Sequence, residues 1–123
     1  MTIIEAINGI DSLKPNTYTM EQKVAWLTNL DGIVKEQVID THEGEPIEFN
    51  GYKDAPLTTK LLIEAPHEEV YIHYLAMKID FANGEYNKYN NTAYMYNTAF
   101  NEYKKWYNRE HMPKSVASLM FGG

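Results

Sequence analysis

The chain has 123 residues, no cysteine, 44% hydrophobic residues and a formal net charge of −6, with a mean hydropathy of −0.49. That length supports one domain around one core, and the lack of cysteine excludes disulfides, thiolate metal sites and cysteine nucleophiles, as fits assembly in a reducing cytoplasm. No apolar run approaches the roughly 20 residues of a membrane span, and a net negative chain is repelled by nucleic-acid phosphates.

The opening Met-Thr-Ile-Ile-Glu lacks a basic region followed by an apolar stretch, so no signal peptide is expected. Thr2 and Glu5 have capping-box spacing, which predicts a short helix burying Ile3, Ile7 and Ile10, with Gly9 placed to end it. Lys14-Pro15-Asn16 reads as a turn. Thr19 and Gln22 repeat the capping box, and a longer helix should run to Val38 or Asp40. Its face is Val24, Leu27, Leu30, Val34 and Val38, widened by Trp26 and Ile33; Gly32 inside it permits a local bend.

Between residues 41 and 65 the helical period is lost. Ile47-Glu48-Phe49 alternates like a strand, Asn50-Gly51 is a turn signal, and Leu61-Leu62-Ile63 is a second apolar run. A short β-hairpin or an extended loop fits these features. Pro66, Glu68 and Glu69 mark a helix start. One stripe of that helix is Val70, Tyr74, Met77 and Phe81, thickened by Ile72, Leu75 and Ile79, and Asn83-Gly84 supplies the stop.

In the last helix Tyr86, Tyr89, Ala93, Tyr96, Phe100, Tyr103 and Tyr107 recur at steps of three and four, on a background of six asparagines. Such spacing places them on one helix face. The fold class predicted is therefore mainly α: a small bundle with an antiparallel helix hairpin, about 67–83 and 88–110, and an inserted loop at 41–65. Residues 1–113 form the helical domain, and 114–123 form a C-terminal arm after Pro113. The middle of the stripe, Tyr96 to Tyr103, should pack on Tyr74, Met77 and Phe81. Its ends are harder to bury, which makes Tyr86, Tyr89, Trp106, Tyr107, Arg109 and His111 candidates for intermolecular contact, with Val116, Leu119, Met120 and Phe121 of the arm.

Charge is unevenly spread. Residues 1–84 hold six Lys against fourteen Asp or Glu, a balance of −8; residues 85–123 hold four Lys and one Arg against three Glu, a balance of +2. Unlike patches of this kind suit head-to-tail self-association.

Chemistry-bearing patterns are absent from the sequence. His42, His67, His73 and His111 form no His-Glu-x-x-His, so no metal site is expected. There is no glycine-rich phosphate loop and no Gly-x-Ser-x-Gly elbow, and the carboxylates read as scattered over solvent-facing positions. The expectation is a protein that is not an enzyme, with no catalytic, cofactor-binding or metal residues and no cofactor. A single-strand-binding platform of tyrosines would need more basic residues than Lys88, Lys104, Lys105, Arg109 and Lys114 supply.

The element order, with Asp40-Thr41-His42-Glu43-Gly44, Ala65-Pro66-His67-Glu68-Glu69-Val70-Tyr71 and Tyr107-Asn108-Arg109-Glu110-His111-Met112-Pro113, resembles the head–tail connector (adaptor, or head-completion) proteins of long-tailed phages infecting Gram-positive bacteria. The resemblance spans residues 1–114. It implies a mostly helical virion subunit, assembled in the host cytoplasm into a ring commonly of twelve copies beneath the portal protein. Such a ring joins the capsid to the next neck or tail-completion protein. Packaged DNA passes through it without sequence-specific binding, and no membrane is involved. The C-terminal arm would be residues 114–121, which in such rings often reaches the portal. Alternatives are a tail-completion or assembly factor, and a small non-virion adaptor that binds a partner protein.

Overall fold

The computed structural model describes residues 1–114 of the chain. The candidate arm residues Val116, Leu119, Met120 and Phe121 lie outside the described residues. Both capping boxes form. In α1 (Ile3–Leu13) the Thr2 hydroxyl accepts the Glu5 N–H at 3.2 Å while Glu5 accepts the Thr2 N–H at 2.9 Å. α2 (Met20–Gln37) repeats this with Thr19 and Gln22 at 3.1 and 2.9 Å. Occupying otherwise orphaned donors in this way stabilises each helix start by about 1 kcal/mol. A 3-10 turn, Ile39–Thr41, follows α2. α3 (Glu69–Ala82) and α4 (Tyr86–Glu110) are joined by a tight turn in which Gly84 takes φ +72°, a conformation that costs glycine little.

α1 does not end at Gly9 but continues to Leu13. A Cβ on Gly9 would lie 3.0 Å from Ile72 Cδ1, so the missing side chain serves close packing of α1 on α3 and not termination. α3 and α4 are antiparallel, because their contacts run in opposite chain order: Phe81 meets Tyr89 at 5.4 Å between ring centroids, Tyr74 meets Tyr96 at 5.1 Å, and His67 meets Tyr103 at 5.9 Å. The core gathers Ile3, Ile7 and Ile10, Leu27, Leu30 and Val34, Tyr71, Leu75 and Ile79, and Phe100 and Tyr103, all buried. Phe81, expected in the packing stripe, is instead 56% exposed. It sits in the last turn of α3, where the Tyr86 and Tyr89 rings of α4 flank it without covering it.

Of the two readings for residues 41–65, the extended loop forms. Among the described residues there is no strand, only isolated bridges pairing Thr2 with Lys60 and His42 with Pro113. The run 61–63 cannot pair with 47–49 because its donors are taken elsewhere. Leu61 N–H bonds Met1 O at 3.0 Å, Leu62 N–H bonds Asp31 Oδ2 at 3.0 Å, and Ile63 N–H bonds the Tyr71 hydroxyl at 2.7 Å.

Not all carboxylates face solvent, as the sequence had suggested. Asp31, in the middle of α2, and Asp80, near the end of α3, are completely buried. Asp80 accepts from Lys14 Nζ at 2.7 Å and from the Thr92 hydroxyl at 3.0 Å, tying the end of α1 to the helix hairpin. Asp31 accepts from the hydroxyls of Tyr52 and Tyr71, the latter at 2.7 Å, as well as from Leu62 N–H. Burial pushes its carboxyl above the ordinary range, against the opposing pull of those three hydrogen bonds. Burial first, and then the neighbouring Asp31, push both phenols well up, so they remain neutral donors.

Asp31→Ala strands two buried hydroxyls and the part-buried Leu62 N–H, and should cost at least about 2 kcal/mol in urea unfolding, at roughly 1–3 kcal/mol for each buried donor left unpaired. A raised folded-state pKa also fixes the sign of a pH effect. Stability from Asp31 is fully present below its unfolded value, near 3.8, and is lost as pH rises through the folded one. The stability of the native chain relative to Asp31→Asn should therefore fall as pH rises from acid towards neutral. A pH-independent difference in urea midpoint would show that Asp31 does not titrate in this way.

Candidate protein-contact surface

A helix as rich in asparagine and tyrosine as α4 has modest intrinsic propensity, so packing of its aromatic stripe must supply most of its stability. That packing is graded along the helix. Tyr86 is 62% exposed, Tyr89 and Tyr96 are half-buried, and Phe100, Tyr103 and Tyr107 are buried. The gradient appears in the phenols too: burial, with Tyr74 nearby, pushes Tyr96 up to about 12, and burial raises Tyr103 further. These rings are neutral packing groups at any physiological pH.

The C-terminal end of α4 is locked to the end of α2. The Tyr107 ring stacks on His111 with centroids 3.7 Å apart and planes 8° from parallel, and meets the edge of buried His42 at 4.7 Å. One His42 ring nitrogen lies 2.6 Å from Val38 O and the other 2.7 Å from Asn108 Oδ1. Beyond the helix, Glu43 N–H bonds Met112 O at 2.8 Å and Lys114 N–H bonds Thr41 O at 2.9 Å, so the root of the arm is stitched to residues 41–43.

The candidate residues therefore divide into two groups. Tyr86 and Tyr89 lie at the hairpin tip, where Phe81 meets them at 6.2 and 5.4 Å. Trp106, Tyr107, Arg109 and His111 lie at the arm root, roughly 25–37 Å away at 1.5 Å per residue. Tyr107, a contact candidate from its place in the stripe, is largely covered by His42 and His111, and what stays open of it lines a concave region beside the arm root. Trp106 is half-buried, 5.2 Å from the His67 ring, while Arg109 is exposed. Sequence reasoning missed Tyr94, 68% exposed, and Met95, 42% exposed. A second periodic line marks that face: Asn87, Asn91, Tyr94, Thr98, Asn101 and Lys105 recur at steps of four and three, and all are exposed. This outward face carries two large apolar groups among mostly uncharged polar side chains, with Lys105 at one end, a composition suited to contact at low desolvation cost.

Concave regions lie elsewhere on the surface, two of them away from the hairpin tip. A groove of about 520 Å³ runs between α2 and residues 52–57, lined by Met20, Val24, Ala25, Thr28, Tyr52 and Leu57 among others. A smaller one of about 360 Å³ lies beneath the arm root, rimmed by Asp40, Glu43, Glu45 and Glu64. Among the described residues no group of His, Asp and Glu is placed to hold a metal ion, and no helix is long and apolar enough to cross a membrane. No family model, curated protein or solved structure matches this chain.

The gradient along α4 separates stability from contact. Phe100→Ala should cost about 3–5 kcal/mol in urea unfolding, as for a buried ring in a packed core. Tyr94→Ala should change stability by less than about 0.5 kcal/mol. A large loss for Tyr94→Ala would place that ring in the core instead of at the surface.

Proposed function

We propose that this chain is a structural virion protein of the head–tail connector type, closing into a ring beneath the portal and joining the capsid to the tail. The observation that carries the reading is the division of α4: its C-terminal end is locked into the core, and its N-terminal half offers Tyr86, Tyr94 and Met95, with Phe81 of α3 beside Tyr86, on an asparagine-rich background. A ring is built from a heterologous interface, which needs two different complementary patches on each subunit. The hairpin tip and the arm root, at opposite ends of a helix about 37 Å long, provide two well-separated faces. The acidic balance of residues 1–84 against the mildly basic remainder supports pairing of unlike faces.

The resemblance in residues 1–114 supplies the more specific part of this proposal: the portal above, a neck or tail-completion protein below, and DNA passing without sequence readout. A net charge of −6 is compatible with a channel that does not hold phosphates tightly. The test is to mix the protein with purified portal and image the complex by electron microscopy. A ring seated below the portal is expected, and Tyr86→Ala with Tyr94→Ala should reduce its occupancy while leaving the subunit folded. Portal particles that never acquire a ring would overturn the connector reading.

A further inference from the structure

We infer that the groove between α2 and residues 52–57 receives the apolar C-terminal segment, residues 116–121, of a second copy of this chain. The inference takes up the self-association in the proposed function and gives it a contact. Met20, Val24 and Ala25 line one side of the groove, and Tyr52, Ala55 and Leu57 the other. The second wall is held in place without an occupant. Tyr52 donates its hydroxyl to Asp31 and its N–H to the Thr28 hydroxyl at 2.9 Å, and Ala55 N–H closes a turn on Tyr52 O at 3.0 Å. Gly51, at φ +94°, lets the chain pass so close to α2 that a Cβ there would lie 2.9 Å from Thr28 Cγ2. A mostly apolar cleft built in advance is the usual form of a binding site.

The occupant follows from chemistry and reach. Residues 115–123 carry no charged side chain and include Val116, Leu119, Met120 and Phe121. An uncharged segment with four large apolar groups matches a groove whose charges, Glu21, Lys53 and Asp54, leave six apolar or aromatic lining side chains between them. Lys114 is fixed beside Thr41, just past the end of α2. From Gln37 back to the nearest α2 lining residue, Asn29, is about 12 Å, and to Met20 about 26 Å, at 1.5 Å per residue. An extended chain leaving Lys114 carries Val116 no more than about 7 Å and Phe121 no more than about 25 Å. Within one subunit Val116 falls short of the groove, and the rest of the segment does not span it to Met20. A second copy brings the whole segment.

The native chain has no cysteine, so a disulfide reports this contact directly. Full-length Ala25→Cys and full-length Leu119→Cys are mixed, oxidised and run on a non-reducing gel, with Ala25→Cys plus Asn97→Cys as the comparison pair. A disulfide-linked dimer at least about tenfold above the comparison pair is expected; equal yields would overturn the inference. The double variant Ala25→Cys/Leu119→Cys should give linked dimers and longer chains. A closed, internally linked monomer in their place would assign the groove to the same subunit and equally defeat the proposal. The readout uses free protein, so it fails or succeeds independently of ring formation on a portal.

Discussion

One buried carboxylate organises much of this molecule. Asp31 sits at the centre of α2 with no exposed surface, and its two oxygens take hydrogen bonds from Tyr52, Tyr71 and the Leu62 N–H. The long stretch between the 3-10 turn and α3 contains no strand or helix, yet Tyr52, Leu61 and Ile63 within it are buried. Irregular backbone can enter a core only if its donors are satisfied, since an unpaired buried N–H costs as much as several favourable contacts return. α2 and α3 meet that requirement with side chains: Thr28 and Asp31 from one helix, Tyr71 from the other. An acid at this position therefore serves where a sheet would otherwise have had to form.

This explains which parts of the fold were legible in the sequence. The starts of α1 and α2 were, because a capping box is satisfied within four residues and depends on nothing distant. The stripe of α4 was legible because periodicity is local. Asp31 was not, although its position, four residues after Leu27 and three before Val34, lies on the apolar face of α2. Its partners Tyr52 and Tyr71 are 21 and 40 residues away, and nothing in the local pattern pairs them. A polar residue on an apolar face is ambiguous until its donors are found. Gly9 misled for a related reason: a glycine that permits close helix contact looks like one that ends a helix until Ile72 is seen against it.

The candidate contact surface was partly legible, and the missing part has the same origin. Periodicity identified which α4 residues share a face, but not which of them would be covered. Tyr107 is buried because His42, from the end of α2, and His111, from the chain beyond α4, close over its ring. Tyr86 at the other end has the Phe81 ring 6.2 Å away and stays 62% exposed. Tyr94 and Met95 escaped notice because attention to the aromatic stripe left the opposite face as background, although that face has a period of its own.

In the proposed self-association, the same anchoring that satisfies the loop would also set the geometry of the contact. Asp31 fixes Tyr52, and with it one wall of the groove beside the first half of α2. At the far end of that helix, the bridge between His42 and Pro113 and the bond from Lys114 to Thr41 fix the point from which the arm departs. Groove and departure point are thus held at opposite ends of one rigid element. A contact joining the arm of one subunit to the groove of the next is heterologous, and its repeat is determined by the helix between them. Whether such a repeat closes depends on a constant rotation from subunit to subunit. A chain bonded at residues 112–114 to residues 41–43 by main-chain hydrogen bonds provides that constancy better than a freely hinged one. The buried acid and the bonded backbone at Lys114 thus meet one physical requirement in two places: irregular chain keeps a fixed geometry only where its backbone is held.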